Sequence, residues 1–587
     1  MKKRWVIEEK NVLLERHLSR ELNITPLVSR ILINRGIKDV DSGREFLNVS
    51  HNSLVDPFLL NDMERAVARL IKAIQNKSRI LVYGDYDVDG VTASALYIEF
   101  FRGLGADIDL HIPDRADEGY SLNEAAVQMA RSRNFDIILT ADCGTSSIGP
   151  VKLAQSLGID VIVTDHHEPS IELPEAFALI NPNRQDSTYP YKGLTGVGVA
   201  FKLVQAISQM IEVRSKKLEV RNNLTSDFYH LTSNKGLSSY LDLVALGTIA
   251  DVAPLTGENR FFVKEGLAML TREKRVGIAA LKEVAGIWGK DVNGGIVGFV
   301  LAPRINAAGR LYKAEAAVRL LTTRDYEEAK SIAIYLDKTN QERQKIEIKI
   351  REEIRAKILK EIDLDREKVI VMGSRDWHQG VIGIVASKIV DEFYRPCVLI
   401  SLQEDGSGKG SARSIPRFNI FKGLETCSDL LDRFGGHKYA AGLSIKETNI
   451  PLLRERLSAV IAERMEKEDL IPRITLDAEI DLEEINFPLL KEMALLPPYG
   501  MANPEPVIVT RGLRIMEPKI VGKDHLKIKL KKGRAYLDGI GFSMGSAYND
   551  IVKSGGEVDA AYTPELNLWN GTYGVQLKLK DLKLSGE

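Results

Sequence analysis

The sequence predicts a multidomain α/β protein in five parts: a helical region over residues 1–78, a parallel-sheet domain over 79–323, a connecting helix over 324–363, a smaller α/β domain over 364–465 and a β-barrel over 466–587. Three observations predict it. From residue 79 to about 182, short β-branched runs alternate with helical stretches about every 25 residues, the rhythm of βαβ units. From Arg324 to Ile362 a stretch rich in Lys, Glu, Ile and Ala reads as one long helix. Past about residue 470, strand-like runs follow one another without long helices between them.

Taken in order, Leu18 to Ile37 and Asp62 to Ile74 carry the three- and four-residue apolar spacing of helices. Four apolar runs then lead into metal-type ligands. Ile80–Tyr83 precedes Asp85, Asp87 and Asp89; Ile137–Leu139 precedes Asp142; Val161–Val163 precedes Asp165, His166 and His167; and Leu243–Leu246 precedes Asp251. Ligands in open parallel sheets gather beyond the carboxyl ends of the strands, so sequence-distant groups can meet there. Residues 211–236 are polar and without clear period, and read as an insertion. The long helix has Thr323 available as N-cap and suits a strut between domains, unless it breaks near Asn340 into a helix pair. Candidate strands Val369–Met372 and Cys397–Ser401 start the second α/β unit. The barrel strands are Val507–Thr510, His525–Leu530, Tyr536–Phe542 and Val575–Leu579, an OB-like pattern.

A length of 587 residues fits three or four domains, and a hydrophobic share of 44% supplies ample core. The net charge of −1 gives no global attraction for nucleic acid, so any such surface is local. Cys143, Cys397 and Cys427 are too scattered for a disulfide framework or a zinc finger. The first ten residues lack the apolar core of a signal peptide, and no apolar stretch reaches the ~20 residues a bilayer span needs. A cytoplasmic protein is expected.

Asp85-Tyr86-Asp87-Val88-Asp89-Gly90 looks like the start of an EF-hand loop, but the twelfth position holds Leu96 instead of a bidentate Glu, and a β run precedes it. A helix-capping turn accounts for one aspartate, not three. Asp142 alone could be an N-cap. Two histidines directly after Asp165 are the sharper signal, and Asp165 can orient an imidazole. Hard carboxylates with two imidazoles argue for two Mn²⁺ ions, with Mg²⁺ or Co²⁺ as substitutes, and for hydrolysis at phosphorus.

Gly196-Val197-Gly198 is a weak glycine signal; Phe201 stands where a dinucleotide fingerprint wants Gly, so a tight strand-to-helix turn is expected. Arg304 to Arg310, with Asn306 between them, places two guanidinium groups around a small-residue turn and suits phosphate. Ser411, Arg413 and His437 lie among glycines and can form an anion pocket. Arg511 to Arg534 holds Lys519, Lys523, Lys527, Lys529, Lys531 and Lys532, a stripe that could track a single-stranded backbone or be a solvated face.

The order Asp-x-Asp-x-Asp-Gly, Asp-Cys-Gly, Asp-His-His, Ala-Asp-Val is similar to the DHH phosphoesterase superfamily. With Trp377–Ala386, Gly435-Gly436-His437, Ala440-Ala441-Gly442 and Tyr499–Pro506, the whole layout resembles its RecJ family of single-stranded-DNA exonucleases. The resemblance implies a DHH catalytic domain, a connecting helix, a DHHA1 domain and an OB-fold domain. It implies metal positions at Asp87, Asp89, Asp142, His166, His167 and Asp251, with Asp142 bridging and Asp85 a nearby acid. It also implies that Arg310 faces the scissile phosphate, that His437 closes the site, and that Arg115, Ser411 and Arg413 hold a 5′-phosphate. Tyr83 stands where many members have a histidine ligand, Ala502 replaces an expected glycine, and the stretch between His167 and Asp251 is longer than usual.

The expected activity is 5′→3′ hydrolysis of single-stranded DNA to 5′-mononucleotides, in repair and recombination. Rivals are an enzyme for very short oligonucleotides or nucleotide phosphates, and a non-enzymatic DNA scaffold. Expected partners are single-stranded DNA, a single-strand-binding protein and a helicase, with the chain a monomer away from membranes.

Overall fold

The computed structural model describes residues 3–114, 121–217, 233–311, 314–364, 366–549, 555–569 and 572–586. They divide into two compact units. One comprises Trp5–Ala302, Ala314–Lys330 and Thr475–Glu587; the other comprises Met1–Arg4, Pro303–Lys313 and Ser331–Ile474.

The larger unit contains the expected parallel sheet. Arg79–Gly84 is flanked by Asp107–His111 on one side and by Ile137–Ala141, Asp160–Thr164 and Ala178–Ile180 in turn on the other. Its central strands are apolar runs without alternation because both faces are covered: Ile80, Leu81, Val82, Ile137, Ile138 and Leu139 are fully buried. The strand order reverses between Arg79–Gly84 and Ile137–Ala141, and that switch point opens a crevice at the strand ends.

The fourth ligand-bearing run differs. Leu243–Leu246 lies in the buried helix Leu241–Ala250, not in a strand, and Asp251 caps its C-terminus. A run packed on every side shows neither a two-residue nor a 3.6-residue period, so its pattern does not separate strand from helix. Part of the supposed insertion is also helical, within Gly196–Lys217 and Asn234–Ser238; residues 218–232 lie outside the described residues. Gly196–Val213 is apolar enough to cross a membrane by length and composition, yet 67% of it is buried inside the fold, as in a core helix.

The same unit holds a closed five-stranded barrel. Ile508–Val521, His525–Lys532, Ala535–Gly541, Thr572–Leu584 and Val558–Trp569 pair in that order, and the last returns to the first. The strand Val558–Trp569 was not among those expected from the sequence. The N-terminal segment Leu18–Ile37 is two helices, Val12–Leu22 and Pro26–Asn34, because Asn23 turns left-handed (φ 53) and Pro26 restarts the chain at a first helical position. These helices share the barrel's core: Val28, Ile31 and Leu32 pack with Leu489, Ile508 and Tyr562. Arg35 binds Asp477 through two bonds of 2.7 and 3.2 Å. Buried Arg260 donates to the carbonyls of Phe46, Leu495 and Leu496, each at 2.9 Å. Three satisfied donors are what make a buried guanidinium tolerable without a carboxylate.

The smaller unit is built on a mixed sheet in the order Leu431–Gly436, Ala440–Lys446, Ser407–Arg413, Cys397–Leu402 and Ile370–Ser374. Its core includes Val381, Val385 and Ile389 from the helix Gln379–Phe393. The long helix is Tyr326–Glu361, unbroken at Asn340, whose side-chain oxygen accepts from Arg343. Thr323 terminates the preceding helix; Asp325 instead receives the N–H groups of Glu327 and Glu328 at 2.8 and 3.1 Å. Arg304 to Arg310 is not a turn but part of the helix Ala302–Leu311, where Ala307 and Ala308 favour helix.

Candidate metal centre

The ligand-bearing residues are held by continuation of the parallel ladder. The N–H of Asp85 donates to Ala141 O at 3.1 Å, that of Asp142 to Thr164 O at 3.0 Å, and that of Asp165 to Ile180 O at 3.1 Å. Each accepting carbonyl ends the neighbouring strand, so register itself aligns the carboxylates.

Asp87 does cap the next helix, Val88–Gly103: its Oδ1 accepts from the N–H groups of Asp89 and Gly90 at 2.9 and 3.1 Å. Asp89 has a separate cradle. Its Oδ2 and Oδ1 accept the N–H groups of Gly196 and Val197 at 2.7 and 2.9 Å, at the positive end of the helix Gly196–Lys217. The Gly-Val-Gly segment is therefore a carboxylate seat, entered from a loop and not from a strand. A Cβ on Gly196 would fall 2.4 Å from the Cβ of Asp142, and one on Gly247 would fall 2.7 Å from Asp89 Oδ1. Both glycines serve close approach.

The groups converge in three overlapping sets whose ligand atoms lie within 4.8 Å of one another: Asp142, His166 and His167; Asp89, His166 and Asp251; Asp85, Asp87 and Asp142. His166 Nε2 is 3.2 Å from Asp142 Oδ1, 3.7 Å from Asp89 Oδ2 and 3.9 Å from Asp251 Oδ2. Asp165 stands behind them. Its Oδ1 lies 2.8 Å from His167 Nδ1 and accepts both histidine backbone N–H groups, while Oδ2 accepts from Thr145. Asn181 and Asn183 hold the carbonyls of His167 and His166. Tyr83, at the expected histidine position, is buried and donates its hydroxyl to Ser121 O at 3.0 Å.

Charge shows what this set requires. Burial, then the charges of neighbouring aspartates, push Asp89 and Asp142 well above the carboxylate range. Burial and Asp87 raise Asp251 to about 7, although its side chain is 30% exposed. Burial also opposes the charged forms of Asp165 and His167, but their mutual bond outweighs it, lowering the acid and raising the imidazole to about 9. Asp142 Oδ1 is buried and accepts no hydrogen bond from a described residue. Crowded, desolvated carboxylates of this kind fit divalent cations.

Carboxyls whose folded pKa is raised stabilise the fold only while protonated, so that contribution is lost as pH rises through Asp251's value of about 7. Thermal melts with chelator and with Mn²⁺ should show a gap that widens from about pH 5 to about pH 7. A pH-independent gap would refute the charge argument.

Arg304, Asn306, Arg310, Ser411, Arg413 and His437 belong to the smaller unit. Arg413 Nη1 donates to Ser411 Oγ at 3.1 Å, beside Gly383, whose missing Cβ leaves room for both side chains. Arg310 donates to Gly380 O at 3.1 Å, and Arg304 pairs with Asp337 at 2.8 Å. His437 is exposed in the turn after Gly436. Arg115 lies outside the described residues.

On the barrel, Leu526, Ile528 and Leu530 point into the core, so Lys527, Lys529 and Lys531 share the outer face. Lys529 lies 5.8 Å from the ring of Tyr536, which is 63% exposed, and also pairs with Glu517 at 3.1 Å. Ala502, where a glycine is expected, stands in the left-handed region (φ 60).

The Gly196 and Gly247 approaches, Thr145, Asn181 and Asn183 were missed by sequence reasoning. Gly196 alone had a signal, in its glycine pair; the others depend on contacts across the fold.

Three family models match: the DHH family N-terminal domain over 79–248, the DHHA1 domain over 366–463 and the RecJ OB domain over 476–581. The single-stranded-DNA-specific exonuclease RecJ of Bacillus subtilis (strain 168) is 38% identical over 587 residues, covering 100% of this chain and 71% of its own. That of Escherichia coli (strain K12) is 35% identical over 572 residues, covering 95% and 96%. The crystal structure of Thermus thermophilus RecJ in complex with Mn²⁺ superposes with a TM-score of 0.81 at 31% identity, over 99% of this chain and 80% of that one. The corresponding Mg²⁺ complex gives 0.75 at 30%, over 100% and 79%. With the ligand set in place and relatives matched along their length, the chain belongs to the RecJ family of DHH phosphoesterases.

Proposed function

We propose that this chain is a metal-dependent exonuclease that removes 5′-mononucleotides from the 5′ end of single-stranded DNA, in repair and recombination. The observation that carries the reading is the gathering of Asp85, Asp87, Asp89, Asp142, His166, His167 and Asp251 in overlapping ligand sets at the sheet's switch point. The named relatives are single-stranded-DNA-specific exonucleases, and the Thermus relative binds Mn²⁺ and Mg²⁺.

Bound divalent ions supply a nucleophile near neutral pH and neutralise charge developing on the phosphate. The residues hold and orient. Asp142, in two of the three ligand sets, would help to hold the ions, and the family resemblance assigns it the bridging place. Asp165 engages His167 Nδ1, which orients the ring and would let Nε2 serve a bound ion. Asp85 supports the set from the adjacent strand end. In the smaller unit, Ser411 and Arg413 are assigned to the 5′-phosphate, and Arg310, Asn306 and His437 to phosphates of the strand. Arg304, already paired with Asp337, holds its own helix and contributes charge. Arg115 is assigned to the 5′ end by the family resemblance alone. The Lys527, Lys529 and Lys531 face with Tyr536 offers backbone attraction and a stacking surface.

A single chain carries all these parts, which supports a monomer. Three buried free cysteines fit a reducing cytoplasm. An enzyme confined to single strands draws on a helicase to expose them and meets single-strand-binding protein there; both are proposed partners.

End-labelled single and double strands, digested with Mn²⁺, Mg²⁺ or chelator, test the reading. Release of 5′-label first, from long single strands only, is expected; digestion confined to very short oligonucleotides would favour the small-substrate rival. Arg413→Ala should lower the preference for a 5′-phosphorylated end about tenfold, equivalent to one charge-assisted contact. An unchanged preference would remove Arg413 from the 5′ end.

A further inference from the structure

Val252, the residue after Asp251, stands in a backbone conformation that its side chain disfavours. The helix Leu241–Ala250 ends with Asp251 as cap, and the N–H of Val252 donates to Ile249 O at 3.1 Å while that of Ala253 donates to Thr248 O at 3.2 Å. This pair of bonds is the Schellman termination, which puts the residue after the cap in the left-handed region and selects glycine. Val252 has φ 59, and it is the one β-branched residue among the described non-glycine residues of positive φ. For a branched Cβ this is a true outlier. Packing does not explain it, because Val252 is 60% exposed whereas Ala253 and Leu255 beside it are 8% and 3% exposed. Holding Asp251 does not explain it either, since glycine would form the same two bonds with less strain.

We propose that the Val252 side chain is a substrate contact, an apolar edge at the mouth of the metal centre that packs against the sugar or base face of the terminal nucleotide. It rests on the exonuclease reading given above. The adjacent Asp251 carboxylate is itself partly solvent-facing, so Val252 is an exposed apolar neighbour of an accessible ligand. A β-branched side chain is stiff at χ1 and loses little freedom on contact, which suits a fixed wall.

Val252→Gly and Val252→Ile test this through three readouts: thermal midpoint, the Mn²⁺ concentration giving half-maximal thermal shift, and KM and kcat on 5′-phosphorylated single strands. The glycine variant should melt at or above wild type, keep its Mn²⁺ midpoint, and raise KM about tenfold through the lost apolar contact. The isoleucine variant, which keeps the branch, should stay within about twofold in KM. Wild-type KM in the glycine variant overturns the inference, as does a shifted Mn²⁺ midpoint with KM unchanged, which would assign Val252 to holding Asp251. A wild-type protein inert on single strands overturns the exonuclease reading itself.

Discussion

Asp142→Asn should abolish nucleotide release while leaving the chain folded, and its metal-free form should melt no lower than wild type. Asp142 belongs to two of the three ligand sets, and its Oδ1 is the oxygen nearest His166 Nε2. A loss of at least about a thousandfold, roughly 4 kcal/mol of transition-state stabilisation, is expected. Stability should not suffer, because burial and the charges of Asp89, Asp87 and Asp85 all oppose ionisation of this carboxyl. Asparagine is the informative choice: it has the same shape and tolerates φ 67, where alanine would add backbone strain. Steady-state release of labelled mononucleotide, read beside a chelator melt, checks both halves. Retained turnover would sink the assignment of Asp142 to the metal centre.

Gly196→Ala should be nearly as damaging, although Gly196 offers no side chain to the reaction. Its added Cβ would sit 2.4 Å from Asp142 Cβ and 2.5 Å from Asp142 Oδ1. Either Asp142 moves, or the helix start withdraws and loosens the N–H groups holding Asp89. Displacements near 1 Å at a reacting centre cost about a hundredfold in rate, and that is the expected loss, with weaker Mn²⁺ binding. Gly298→Ala is the control, since a Cβ there meets nothing within 4 Å. If Gly196→Ala cleaves at the wild-type rate and binds Mn²⁺ normally, the cradle is not what shapes the centre.

Much of the fold was legible because its signals are local. Val161-Ile162-Val163 declares a buried strand, and residues just past the carboxyl end of a parallel strand border the crevice, so the sequence alone places Asp165, His166 and His167 there. Leu243–Leu246 shows where this stops: a helix buried on all sides carries the same apolar run as a strand. Thr323 and Asp325 are both competent caps, and only the backbone path shows that Asp325 takes the role. Asp87 fits both of its readings, as a helix cap and as part of a ligand set.

The sequence by itself determined the chemistry: hard carboxylates and paired imidazoles at apolar strand ends require cations, and their order identifies the superfamily. Tertiary structure alone decided how those groups meet. Asp89 is seated by N–H groups more than a hundred residues away, at Gly196 and Val197. Asp85, Asp142 and Asp165 are aligned by bonds to the last carbonyl of each neighbouring strand. The left-handed turns at Asp142 and Val252 are also its doing. Side-chain chemistry and periodicity can be read along the chain, whereas register, close approach and backbone strain arise only when distant segments pack.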